Sequence, residues 1–212
     1  MKNYLTEFIG TFFLVFTIVL TGSSGTTLAP VAIGVTLMVM VYMGGHISGA
    51  HYNPAVTLAV MMRGKIGMAE AVPYWISQIA GALAAAVVGY IITGEAIAPS
   101  PGSGVNGFQA LLIEAFYTFA LALVVLNVAT LRSTAGNSYY GLAIGFTILA
   151  AAIAGGPISG GAFNPAVGIG PILMKAMAGR GGMGDLWIYV VGPVGGAAIA
   201  AMAFRFQHGN AD

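Results

Sequence analysis

The chain has 212 residues, of which 58% are hydrophobic and only 6% charged, and its mean hydropathy is +0.91. A soluble domain carries about a quarter charged residues, so this composition excludes a water-exposed globule and calls for lipid as the solvent. A net charge of +1 gives no field that would draw nucleic acid, and the lack of cysteine excludes disulfides, thiolate metal sites and a thiol nucleophile.

A membrane-crossing helix needs about 20 mostly apolar residues. The first such run covers residues 5–21. Lys2 ahead of it could mark a leader peptide, but Glu7 inside the run and the many later runs favour a retained span. Gly22-Ser23-Ser24-Gly25 closes it, and further runs follow over residues 31–45 and 72–93. Pro99-Ser100-Pro101-Gly102-Ser103-Gly104 then marks a join near the midpoint, followed by runs over residues 111–131, 139–154 and 186–206. One transmembrane domain of two halves, residues 1–98 and 105–212, is the expected organisation.

The second and fifth runs are short because each leads into a repeated segment. Ile47-Ser48-Gly49-Ala50-His51-Tyr52-Asn53-Pro54-Ala55-Val56 returns as Ile158-Ser159-Gly160-Gly161-Ala162-Phe163-Asn164-Pro165-Ala166-Val167, with seven of ten positions identical and the asparagines 164 − 53 = 111 residues apart. A repeat at half the chain length organises the whole fold. Three spans per half turn the second half upside down relative to the first, an inverted-topology repeat. With the N-terminus inside, Lys2, Arg63, Lys65, Arg132 and Arg205 lie on the cytoplasmic side and Lys175 and Arg180 outside, as the positive-inside rule requires.

Asn is a strong N-cap and Pro is favoured at the first helical position, so each Asn-Pro starts a helix. From Asn53 to Arg63 is 11 residues, which at about 1.5 Å each spans roughly half of a hydrocarbon core about 30 Å thick. The expected architecture is therefore all-α, with six transmembrane helices plus two re-entrant half-helices whose N-termini meet at mid-bilayer. Irregular backbone at that depth must be buried or line a wet cavity. Gly49, Ala50, His51 and Tyr52, and Gly160, Gly161, Ala162 and Phe163, are expected to present carbonyl oxygens to such a cavity. Each helix N-terminus contributes about half a positive charge, which repels protons and cations but not neutral solutes. Each asparagine is expected to accept from a backbone N–H near Val56 or Val167 and to keep its amide hydrogens free for a passing water. A single Asn-Pro would more often be a helix kink; two related by inversion are not.

Ionisable groups inside spans are functional candidates by default. Glu7 and Glu114 could form a proton relay, but their symmetric placement, 107 residues apart, fits an anchor needed once per half. His46 and His51 have no carboxylate or cysteine beside them and make a poor zinc site. No metal or cofactor is expected. Tyr74/Trp75, Tyr139/Tyr140 and Trp187/Tyr189 sit at span ends and read as interface anchors. Inverted repeats with broken helices also build secondary transporters, although the interior offers few carboxylates for ion coupling. A membrane-embedded enzyme would need a nucleophile–base pair, and none is visible.

The double Asn-Pro-Ala, the opening Glu7-Phe8-Ile9-Gly10-Thr11, Gly45-His46-Ile47-Ser48-Gly49, Gln78-Ile79-Ala80-Gly81-Ala82 and Gly192-Pro193-Val194-Gly195-Gly196 closely resemble the aquaporin or major intrinsic protein family, over nearly the whole chain. The resemblance implies one pore per subunit, a homotetramer, and a multi-pass protein of a bacterial or archaeal cytoplasmic membrane. It also implies that Asn53, Pro54, Ala55, Asn164, Pro165 and Ala166 form the pore motifs, that His46 lines the cytoplasmic vestibule, and that Glu7 and Glu114 anchor the loops. The filter positions fall on Ile33, Ala152, Gly161 and Val167. The family usually has Arg where Val167 stands, so this filter lacks the five-donor guanidinium fork and is expected to be wide and apolar. Passage of small neutral solutes such as glycerol, urea or arsenious, boric and silicic acids follows, with strict water selectivity as the alternative. Glycerol-selective relatives usually follow that Arg with Asp, whereas Gly168 follows Val167 here.

Overall fold

A computed structural model describes residues 1–209, and among them lie eight α-helices, one short 3-10 turn and no strand. Six helices are long and apolar enough to cross a membrane: α1 (Lys2–Ser24), α2 (Ala29–Ser48), α4 (Met68–Thr93), α5 (Gly107–Thr130), α6 (Tyr140–Ser159) and α8 (Leu186–His208). The other two, α3 (Pro54–Met62) and α7 (Pro165–Met177), each begin at the proline of an Asn-Pro-Ala. Their 9 and 13 residues correspond to about 14 and 20 Å of rise.

Local chemistry sets the boundaries. α2 and α6 run further than the apolar stretches suggest, through Gly44–Ser48 and Gly155–Ser159, and stop where Gly49 and Gly160 turn left-handed at φ 85° and 89°. A glycine in that conformation carries no steric penalty and ends a helix cleanly. α5 starts at a reciprocal capping box, in which Asn106 Oδ1 accepts from the Gln109 N–H and Gln109 Oε1 accepts from the Asn106 N–H.

The inversion is visible in the packing. α1 lies on α4 as α5 lies on α8, and each half-helix crosses over to pack against the last span of the opposite half, α3 on α8 and α7 on α4. The halves also meet where α2 crosses α6 at Gly34 and Gly145. A Cβ on Gly34 would lie 2.6 Å from Leu149 Cβ and 2.8 Å from the Gly145 carbonyl oxygen. Lipid supplies no hydrophobic drive for helix association, so backbone-close packing of small residues supplies the contact instead. At one end of the bundle Arg205 donates to the Met62 carbonyl at 3.2 Å, bringing the C-termini of α3 and α8 together. At the other, Arg180 stacks over the Tyr90 ring at 5.8 Å.

Candidate functional site

Asn53 and Asn164 both adopt extended backbone, φ −156° and −163°, and cap the half-helices that follow. Asn53 Oδ1 accepts from the Ala55 N–H at 2.8 Å and the Val56 N–H at 3.4 Å. Asn164 Oδ1 accepts from the Ala166 N–H at 2.9 Å rather than from Val167. Each amide then crosses the interface: Asn53 Nδ2 donates to the Phe163 carbonyl at 2.9 Å and Asn164 Nδ2 to the Tyr52 carbonyl at 2.8 Å.

These bonds correct one expectation. The asparagine amides are not wholly free, because one of the two hydrogens on each is committed to the opposite loop. The carbonyls of Tyr52 and Phe163 each accept one of those hydrogens and keep a second lone pair. Gly49, Ala50 and His51 on one side, and Gly160, Gly161 and Ala162 on the other, have carbonyls that accept no hydrogen bond among the described residues.

The loops are held in an unfavourable shape. Ala50, Tyr52 and Phe163 have φ of 51°, 50° and 49°, a region that costs non-glycine residues energy unless the surroundings enforce it. The buried carboxylates do so. Glu7 Oε1 accepts from the Ser48 hydroxyl at 2.7 Å and the His51 N–H at 3.0 Å, while Oε2 accepts from the Tyr52 N–H at 2.7 Å and from Gln78 Nε2 at 2.8 Å. Glu114 receives the Ser159 hydroxyl at 2.7 Å, the Ala162 N–H at 3.0 Å and the Phe163 N–H. Both carboxylates are fully buried, where charge-assisted bonds of this kind are strongest.

Tyr74 and Tyr189 are not interface anchors. Both are fully buried, and their hydroxyls donate to the Ser48 and Ser159 carbonyls at 2.8 and 2.6 Å, closing the last turns of α2 and α6. Trp75 likewise turns inward, its Nε1 donating to the Pro54 carbonyl at 3.1 Å. Their place near span ends concealed this role. The available signal was the Tyr74–Tyr189 offset of 189 − 74 = 115, which equals that of Gly81 and Gly196.

A run of cavities passes these loops. A central cavity of about 30 Å³ touches both asparagines, Ala50, His51, Tyr52, Val56, Gly161 and Ala162 on the loop side and Leu37, Leu121, Val125, Ile144 and Ile148 opposite. Ile33, Gly161 and Val167 line it and also a neighbouring cavity of about 200 Å³. Ala152 is half-buried and lines neither. Toward the end of the bundle that carries Arg63 and Arg205 lie cavities of about 430 Å³, lined by His46 and Arg132 among others, and about 310 Å³, lined by His51 and Lys65. At the centre, bulky aliphatic side chains from α2, α5 and α6 leave room for about two waters, at 10–15 Å³ each.

The sequence carries the signature of the family described as major intrinsic protein over residues 1–204. It is 40% identical to aquaporin NIP1-4 of Oryza sativa subsp. japonica, over 96% of this chain and 76% of that protein. It is 38% identical to glycerol uptake facilitator protein-like 6 of Lactiplantibacillus plantarum, over 97% of each. The fold matches the crystal structure of the aquaglyceroporin from Plasmodium falciparum with a TM-score of 0.85 at 21% identity, covering 96% of this chain and 94% of that one. Six spans, two inverted half-helices capped by paired asparagines, and a match across nearly the whole length lead to one conclusion: the chain belongs to the major intrinsic protein family of membrane channels.

Proposed function

We propose that the chain forms a passive pore for water and small uncharged solutes, with glycerol, urea and the hydroxides of arsenic, boron or silicon as the larger candidates. Protons and cations are refused at the paired Asn-Pro-Ala motifs. The observation that carries this reading is the run of cavities touching both Asn53 and Asn164, where the N-termini of α3 and α7 point at one spot. Two helix ends, each worth about half a positive charge, act there at low dielectric. Ile33, Gly161 and Val167 take the filter role at the outer mouth and offer no side-chain donor, which suits solutes that bring their own donors to the carbonyl ladder. The glycerol uptake facilitator-like relative supports solutes larger than water.

Strict water selectivity is the second reading, and the narrow centre of about 30 Å³ favours it. The working form is a homotetramer, a reading that rests on the family alone. Both termini are cytoplasmic, as the gathering of Arg63 and Arg205 at one end supports. Stopped-flow light scattering on reconstituted vesicles with glycerol, urea and arsenious acid tests the proposal. Solute flux that is linear in concentration and independent of ion gradients supports it. Water flux alone establishes the second reading, and saturating, ion-coupled flux points to a transporter.

A further inference from the structure

The two loops are not equivalent, and the difference converges on His51. Under the first loop runs a polar chain: Gln78 Nε2 donates to Glu7 Oε2 at 2.8 Å and to Thr57 Oγ1 at 2.9 Å, and Thr57 Oγ1 lies 3.1 Å from His51 Nδ1. At the corresponding places in the second half stand Pro193, Gly168 and Ala162, so no such chain exists there. The chain is retained at a cost, since Gln78 Oε1 is buried without a partner among the described residues. Turning the amide over would set its oxygen against the Glu7 carboxylate, so the NH2 must face Glu7 and Thr57.

That orientation decides the histidine. A threonine hydroxyl has one donor and two acceptor sites. Thr57 accepts from Gln78, and its hydroxyl donates at 3.1 Å to the second lone pair of the Asn53 carbonyl, whose first takes the Thr57 N–H at 2.9 Å. The remaining site on Thr57 is a lone pair, and only a protonated Nδ1 satisfies it. The opposite tautomer would take the hydroxyl hydrogen for Nδ1 and leave two oxygens facing each other at 3.1 Å.

We propose that the relay Glu7–Gln78–Thr57 fixes His51 as its Nδ1–H tautomer, so that Nε2 presents a lone pair to the conduit just inside the asparagines. Nε2 has no protein partner among the described residues and lies beside Gly49, where a Cβ would sit 3.3 Å from it. His51 lines both the central cavity and the one of about 310 Å³. The identity of the free nitrogen on a neutral imidazole is set by the bond the other makes. With Nε2 as an acceptor, His51 extends the acceptor series of the Gly49, Ala50 and His51 carbonyls next to the asparagines. A water released from the asparagine donors then keeps its hydrogens pointing inward, and His51 acts as a specificity-determining group positioned by Thr57 and Gln78. This rests on the conduit reading above, but its test does not measure conduction.

The test is solid-state NMR of the full-length protein in lipid with nitrogen-15 histidine, at alkaline pH where each imidazole is neutral. The chain has three histidines, and the signal lost in His51→Asn identifies the one in question. The expected spectrum has the directly bonded proton on Nδ1 and none on Nε2. A proton on Nε2 in the wild type would overturn the proposal, whatever the protein conducts. Thr57→Val should move the proton or split the signal into two tautomers, and Thr57→Ser should restore the wild-type spectrum. An unchanged tautomer in folded Thr57→Val would remove the relay as its cause. If that variant does not fold, the wild-type spectrum alone still decides the tautomer.

Discussion

Asn53 and Asn164 each hold the other's loop: the amide of one donates to the carbonyl that precedes the other, at 2.9 and 2.8 Å. The two half-helices are therefore fastened by a reciprocal pair of bonds at the same place where they cap their own first turns. Replacing either asparagine by alanine removes a cap worth about 0.5–2 kcal/mol and leaves a buried carbonyl without its donor, a further cost of about 1–3 kcal/mol. Because both bonds fasten one interface, the double variant should lose less than the sum of the singles. Thermal unfolding of the four proteins in one detergent checks this, and strict additivity would mean that the two bonds act independently.

Glu7 gathers four donors and Glu114 three. Glutamine in place of either must turn an NH2 toward at least one N–H or hydroxyl donor, leaving buried groups unpaired at about 1–3 kcal/mol each. Glu7→Gln should lower the unfolding temperature more than Glu114→Gln. The reverse order would show that the donor count does not set the strength of the anchor.

Val167 lines both the central cavity and the neighbouring one of about 200 Å³. Arginine there adds a bulky donor fork, and Val167→Arg should cut uptake of glycerol-sized solutes at least tenfold while water permeability falls far less. Equal loss of both, by light scattering on the same vesicles, would count against a filter at this position.

Gly145 faces the backbone and side chain of α2, where an added Cβ would lie 2.6 Å from Met38 Cβ. Gly145→Ala should cost about 1–3 kcal/mol through overpacking. Gly195→Ala is the control, since nothing lies within 4 Å of its Cβ position. A similar loss in both variants would mean that α2 and α6 are not fixed by close contact.

The sequence makes the spans and half-helices legible because lipid leaves the backbone few options: apolar length and Asn-Pro carry the boundaries almost unaided. The anchoring glutamates are legible because an ionised group in a span needs a reason. Tyr74, Tyr189 and Trp75 are misread because an aromatic with a polar tip serves equally well at a headgroup and against a buried carbonyl. Only tertiary placement separates the two. The committed asparagine amides are hidden for a related reason, since the bonds from Asn53 to Phe163 and from Asn164 to Tyr52 join positions more than 100 residues apart. The narrow centre depends on Leu37, Leu121, Ile144 and Ile148 turning toward one line, which apolar spans rich in such residues all round do not reveal.

The central claim is that solutes pass between the asparagine-capped helix ends, along the wall that Ala162 shares. The natural chain has no cysteine, so Ala162→Cys gives a single reactive thiol at that wall. The decisive measurement is the osmotic water permeability of vesicles containing this variant, before and after modification by a small methanethiosulfonate, with the extent of labelling read by mass spectrometry. Modification should abolish the permeability above that of empty vesicles and leave the wild type untouched. Complete labelling with undiminished water flux would place the passage somewhere else.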